Sequence, residues 1–263
     1  MVNCVHLVRW AALVALAAAA ISCRSINAPA GVGQDMASCI PADTLLLAGL
    51  NLDQIRDSPL YPKLPPAVRA LAEPLRDAGY VLFASDGKDL LYMARGRFRE
   101  APAGATLVVP GLAAAGSPDS VRAAIAQHKT GRNGAPDLLA RAASIAGSGQ
   151  IWIVARGGVP LPVAGNAANL NRLLHDTEYA AIAVRIGSQI EIEATAVGRT
   201  AAAGREFEES LRAILSLAAA ANARRPDLVA LIHSVLIRRE DRTVRVALSA
   251  GPDAVDSLLG LVR

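Results

Sequence analysis

The sequence predicts an α+β fold in which antiparallel sheets of hairpins are covered by helices on one face and arranged in two related halves. Three observations carry this reading. Asp86-Gly87 separates two apolar runs, the strongest short-range hairpin signal. Ile190, Ile192, Ala194 and Ala196 alternate with Glu191, Glu193 and Thr195, the period of a strand with one dry and one wet face. Four predicted helices open with Pro-Asp, at Pro118, Pro136, Pro226 and Pro252, after similar strands, which points to a duplicated unit.

The first half spans residues 40–147. Residues 44–51 read as a strand that is apolar on both faces and therefore central. Asp53 is the expected N-cap of a short helix, broken by Ser58-Pro59-Leu60-Tyr61-Pro62. A second helix over residues 67–78 precedes Gly79, and the hairpin follows as strands at 80–85 and 88–95. A short strand at 106–109 leads through a Gly/Ala loop to Ser117-Pro118-Asp119. There an N-cap, a proline at the first helical position and an acid in the first turn agree on a helix start. Gly131–Gly134 is read as a loop, and Pro136 opens the next helix.

The second half, residues 148–263, begins with a strand at 150–154 and a Gly/Pro-rich connection at 157–165, with a short helix near 169–174. In the hairpin at 180–197, a three-residue loop Gly187-Ser188-Gln189 would set Arg185 opposite Glu191. It would keep Ile182, Val184 and Ile186 on the dry face. A long helix over about 200–223 presents Phe207, Leu211, Ile214 and Ala218 as its apolar stripe. A helix from Pro226, a hairpin turning at Glu240-Asp241 and a C-terminal helix with Val255, Leu258, Leu259 and Val262 complete the chain.

The N-terminus is different in kind. Arg9 is the one charged side chain in residues 1–22, and Trp10 to Ile21 is an apolar run too short to span a bilayer, so residues 1–22 read as a secretory signal peptide. Ala20-Ile21-Ser22-Cys23 resembles the lipobox of bacterial lipoproteins, with alanine in place of the usual leucine at its first position. That resemblance implies cleavage before Cys23 and lipidation of Cys23. Ordinary cleavage nearby and an uncleaved anchor are the alternatives. Residues 23–39 then read as a flexible tether. Cys39 is either a buried thiol or the disulfide partner of an unlipidated Cys23.

Composition excludes several classes. The net charge of +4 is mild and aromatics are only 3% of the chain, so stacking on nucleic acid is not expected. A 52% hydrophobic content owes much to alanine, and no second run reaches the length of a membrane span. The sequence has no Cys-x-x-Cys, His-Glu-x-x-His, Gly-x-Ser-x-Gly or phosphate-cradling loop. His128, His175 and His233 fall near predicted helix C-termini, where a cation is favoured. His175-Asp176-Thr177-Glu178 is the one local cluster with metal or base chemistry, and Glu191 with Glu193 is the one carboxylate pair on a shared face. Neither pattern requires a site, and no catalytic, cofactor-binding or metal residue is assigned.

Pro41-Ala42-Asp43-Thr44, Asn51-Leu52 and Ser58-Pro59-Leu60-Tyr61 resemble the start of uncharacterised bacterial exported proteins that repeat a strand–helix–hairpin unit. The Pro-Asp-x-Val step and the Trp152 strand are similar as well. The resemblance implies an envelope location and a fold, and no activity. The expectation is a non-enzymatic protein of the periplasm or outer membrane, held to the membrane by its N-terminal lipid, with a binding or scaffolding role and no cofactor. A hydrolase-like envelope enzyme and a subunit of an envelope complex are the alternatives.

Overall fold

The computed structural model describes residues 32–63, 69, 75–145, 149–158 and 174–251. The chain runs through helix α1 (Gln34–Ala37), strand β1 (Leu46–Asn51) and helix α2 (Leu52–Arg56) into β2 (Ala78–Ser85) and β3 (Leu90–Gly96). Strands β4 (Thr106–Val109) and β5 (Leu112–Gly116) lead to helices α3 (Pro118–Lys129) and α4 (Pro136–Ile145). The second half is β6 (Ile151–Arg156), β7 (Thr177–Ile186), β8 (Ile190–Gly198), α5 (Ala201–Ala221), α6 (Pro226–His233), β9 (Leu236–Glu240) and β10 (Thr243–Ala250).

The described strands form one antiparallel sheet ordered β4-β5-β3-β2-β1-β6-β7-β8-β10-β9. Counted outward from the β1–β6 pair, each half repeats the same order: first, second, third, fifth, fourth strand. An approximate two-fold axis normal to the sheet therefore passes between β1 and β6. The α+β class and its antiparallel hairpins are present as expected, and β1 is central, flanked by β2 and β6.

The helices do not obey the two-fold, because α3 and α4 follow β5 whereas α5 and α6 lie between β8 and β9. Side chains of Leu47, Leu82, Met93, Trp152 and Val154 share one face through the strand registers. Against that face pack Met36, Ile40, Ala124, Leu138 and Leu139 from α1, α3, α4 and the segment after α1. The opposite face receives Leu52 and Ile55 of α2 in the first half and Leu228, Leu231 and Ile232 of α6 in the second. One helical face thus becomes two, since strand alternation sets parity without saying which parity is covered.

Several local expectations shift. Asn51, not Asp53, caps α2, its side chain accepting from the Gln54 amide at 3.1 Å, while Asp53 stands in the first turn. Ala78 already begins β2, so a helix reaching it is excluded; residues 64–68 and 70–74 lie outside the described set. The Gly/Ala loop before Ser117 is strand β5, turned from β4 at Gly111, whose φ is +79°. In β7 the three-residue loop and the Arg185–Glu191 pairing hold. Ile182 is nevertheless exposed, while Ala181 and Ala183 on the opposite parity are buried. The stripe of α5 keeps Ala218 and adds Leu215 and Ala219, leaving Ile214 outward and Leu217 70% exposed. The last hairpin turns one residue later, at Asp241-Arg242, with Asp241 in the left-handed region at φ 51°.

The tether is also shorter than residues 23–39. Met36, Ala37, Cys39 and Ile40 are fully buried in the main core, so packed structure starts before the expected first strand. Residues 159–173 and 252–263, where two further helices are expected, lie outside the described residues.

Candidate functional site

Two polar clefts stand out among the described residues. The first, about 440 Å³, lies where β2 begins, β3 ends and α2 starts. Pairing slips between Ala78 and Tyr80, and the extra residue is Gly79. A side chain there would collide with the Asp53 carboxylate, and one at Gly96 would collide with the Asp77 carbonyl. Gly79 therefore lets the Asp53 carboxylate close on the cleft, and Gly96 lets the backbone at Asp77 do so. Arg76, Arg95 and Arg97 line it together with Asp53 and Asp77.

Beneath it, the Tyr80 hydroxyl accepts a hydrogen bond from Trp152 Nε1 at 2.8 Å. Burial pushes the Tyr80 phenol up to about 12, against the opposing pull of that bond and of Arg95. The Arg95 guanidinium lies 5.9 Å from the Tyr80 ring centre and 3.8 Å from Asp35 of α1. Ion pairs around this cleft are long: Arg56–Asp53 at 3.5 Å, Arg76–Asp77 at 3.7 Å and Arg95–Asp35 at 3.8 Å. Arg56 also donates to the Ala78 and Leu75 carbonyls at 2.8 Å.

The second cleft, about 620 Å³, has tightly matched charges. Arg141 stacks 3.8 Å above the Tyr179 ring centre and bonds Glu178 at 2.9 Å, while Arg242 bonds the other Glu178 oxygen at 2.9 Å. Arg156 bridges to Asp137 at 2.9 Å. Hydrogen bonding to Arg141, helped by Arg242 and opposed by burial, holds the Glu178 carboxyl below its ordinary range. Burial pushes Asp137 up, but the Arg156 bond and charge outweigh it, and the net direction is also down. These carboxylates therefore favour the fold fully above the ordinary carboxylate value near 4, and that share is lost as pH falls through their lower folded values. Melting temperature is expected to fall as pH drops from about 5 toward 3. Glu178→Gln should flatten that slope; an unchanged slope would remove Glu178 from the account. The effect is modest, because Glu178 is more than a third exposed and screened by water.

The residues singled out in the sequence fall elsewhere. His175 and Asp176 form an exposed pair at 3.2 Å, while Glu178 is held by the arginines and does not join them. Glu191 pairs with Arg185, and Glu193 is exposed. His233 is the last residue of α6. Groups of three or more ligating side chains suited to a metal are absent among the described residues.

Among the described residues, His128 makes the one contact resembling a nucleophile and base: its Nδ1 lies 2.8 Å from Ser38 Oγ. Ser38 Oγ also lies 2.9 Å from the Asp35 carbonyl, which accepts from it, and the direction of the bond to His128 follows the ring tautomer. The contact ties α1 to the end of α3.

Cys39 is fully buried, its thiol donating to the Asp35 carbonyl at 3.2 Å. Burial, then the nearby Asp35 charge, pushes its thiol up to about 11. Cys23 lies outside the described residues. The first cleft escaped the sequence reading because its walls come from Asp53, Arg76 and Arg97, which no short motif joins.

No family model and no curated protein matches the chain. Two solved structures of the Treponema protein TP0453 resemble it. Crystal form I is 7% identical, covering 86% of this chain and 96% of that one, with a TM-score of 0.47. Crystal form III is 8% identical, covering 85% and 97%, with a TM-score of 0.48.

Proposed function

We propose that this chain is a non-enzymatic protein of the bacterial cell envelope, lipid-anchored at Cys23, that binds a ligand or partner through the open cleft beside Tyr80. The apolar run ending in Ala20-Ile21-Ser22-Cys23 carries the reading. The buried thiol of Cys39 supports it, since a disulfide to Cys23 would require that side chain to leave the core. Among the described residues, no helix is long and apolar enough to cross a membrane.

Intact mass of the membrane-extracted protein is expected to place a lipid on Cys23. Cys23→Ala should move the chain from the membrane to the soluble fraction. An unmodified mass, or identical partition of the two proteins, would overturn the anchor.

A further inference from the structure

The cleft beside Tyr80 and the point where the chain enters the fold share one residue. Gly33 lies so close to Arg95 that a side chain at position 33 would collide with its guanidinium, and Arg95 also lines the cleft. Only residues 24–31 separate Cys23 from Val32, itself buried. At about 3.5 Å per residue, that chain reaches about 30 Å at most. An anchor at Cys23 therefore confines the cleft to the membrane surface, where a headgroup is the nearest abundant ligand.

The lining specifies which headgroup chemistry fits. Arginines 76, 95 and 97 offer forked donors suited to a phosphate. Asp53 and Asp77 offer carboxylates 70% and 64% exposed, suited to an ammonium. Both signs face the same space. A volume of about 440 Å³ lies in the range of small-molecule sites.

We propose that this cleft binds a zwitterion carrying one phosphate and one primary ammonium, as in a phosphoethanolamine headgroup, with the arginines on the phosphate and Asp53 and Asp77 accepting from the ammonium. The assignment rests on the envelope-binding reading above, and its test does not use the covalent anchor at Cys23. Full-length Cys23→Ala protein is mixed with phosphatidylcholine vesicles containing or lacking phosphatidylethanolamine, with phosphatidylglycerol vesicles as a third arm. Soluble glycerophosphoethanolamine serves as free ligand and competitor.

Binding is expected to be at least about fivefold tighter with phosphatidylethanolamine. Both Arg97→Gln and Asp53→Asn should lower it to the phosphatidylcholine level, while Arg238→Gln, on β9, should leave it unchanged. Competition by glycerophosphoethanolamine without vesicle binding would keep the chemistry and assign a soluble source. Equal binding to all vesicles with no soluble competition overturns the proposal. So does preference for phosphatidylglycerol that Arg97→Gln removes and Asp53→Asn does not. Each variant's thermal melt must match that of Cys23→Ala; should Arg97→Gln not fold, Arg97→Lys replaces it and is expected to weaken binding through loss of the fork. Failure of the anchor shows separately, in the mass of the wild-type chain.

Discussion

Replacing Trp152 by alanine is expected to lower the unfolding free energy by about 3–5 kcal/mol, measured by chemical denaturation. Trp152 is fully buried, and its ring, rooted on β6, crosses β1 at Gly49 to reach Tyr80 on β2. Truncation opens a cavity in the middle of the sheet's main core and strips the Tyr80 hydroxyl of its donor. Tyr80→Phe tests the polar part separately. It leaves the indole N–H buried and unpaired, which should cost about 1–3 kcal/mol. A Trp152→Ala protein that unfolds with wild-type stability would mean that the two halves do not rely on this contact.

Gly49→Val should be the next most damaging of the core changes. Gly49 faces Trp152 across one side of β1 and Leu82 across the other, and a Cβ there would run into both the indole and the Tyr80 hydroxyl. Neither obstacle can swing away, because each is fixed by the other through a hydrogen bond. The expected loss is about 3 kcal/mol, at the upper end for overpacking. In the Trp152→Ala background that loss should shrink by more than about 1 kcal/mol, well outside the additivity of independent sites. Additive losses would place the strain of the valine elsewhere.

Much of the sheet is readable in the sequence, and the reasons are local. The loop at Gly187–Gln189 sets the parity of two strands at once, so Arg185 opposite Glu191 follows from loop length. Ser117 accepts from the Ser120 amide as its position before Pro118 requires. Strand β5 was missed because Leu112-Ala-Ala-Ala-Gly116 has no β-branched or aromatic side chain. Its strand character comes from neighbours β3 and β4. The segment before Ile40 looked like linker because its apolar residues follow no period, and burial of Met36 and Cys39 depends on a groove made by distant helices.

The parity of Ile182 was readable, whereas its exposure was not, since coverage depends on where α5 and α6 are inserted relative to the strands. The candidate site was least readable. Arg95 and Arg97 sit at a strand end without a motif, and the slip at Gly79 makes room for Asp53 in the cleft they line.

The β1–β6 seam also bears on how the protein is made. Hairpin β2–β3 and its pairing with β1 close early in the sequence, but Leu46 must wait for Ala155 to complete its other edge. Contacts of such separation form late and slow folding. Until they form, Leu46 to Leu50 present an unpaired apolar edge at what will become the centre of the sheet, the geometry most open to a wrong partner strand. A chain emerging from its N-terminus therefore passes through an interval in which its best-protected strand is its most aggregation-prone one.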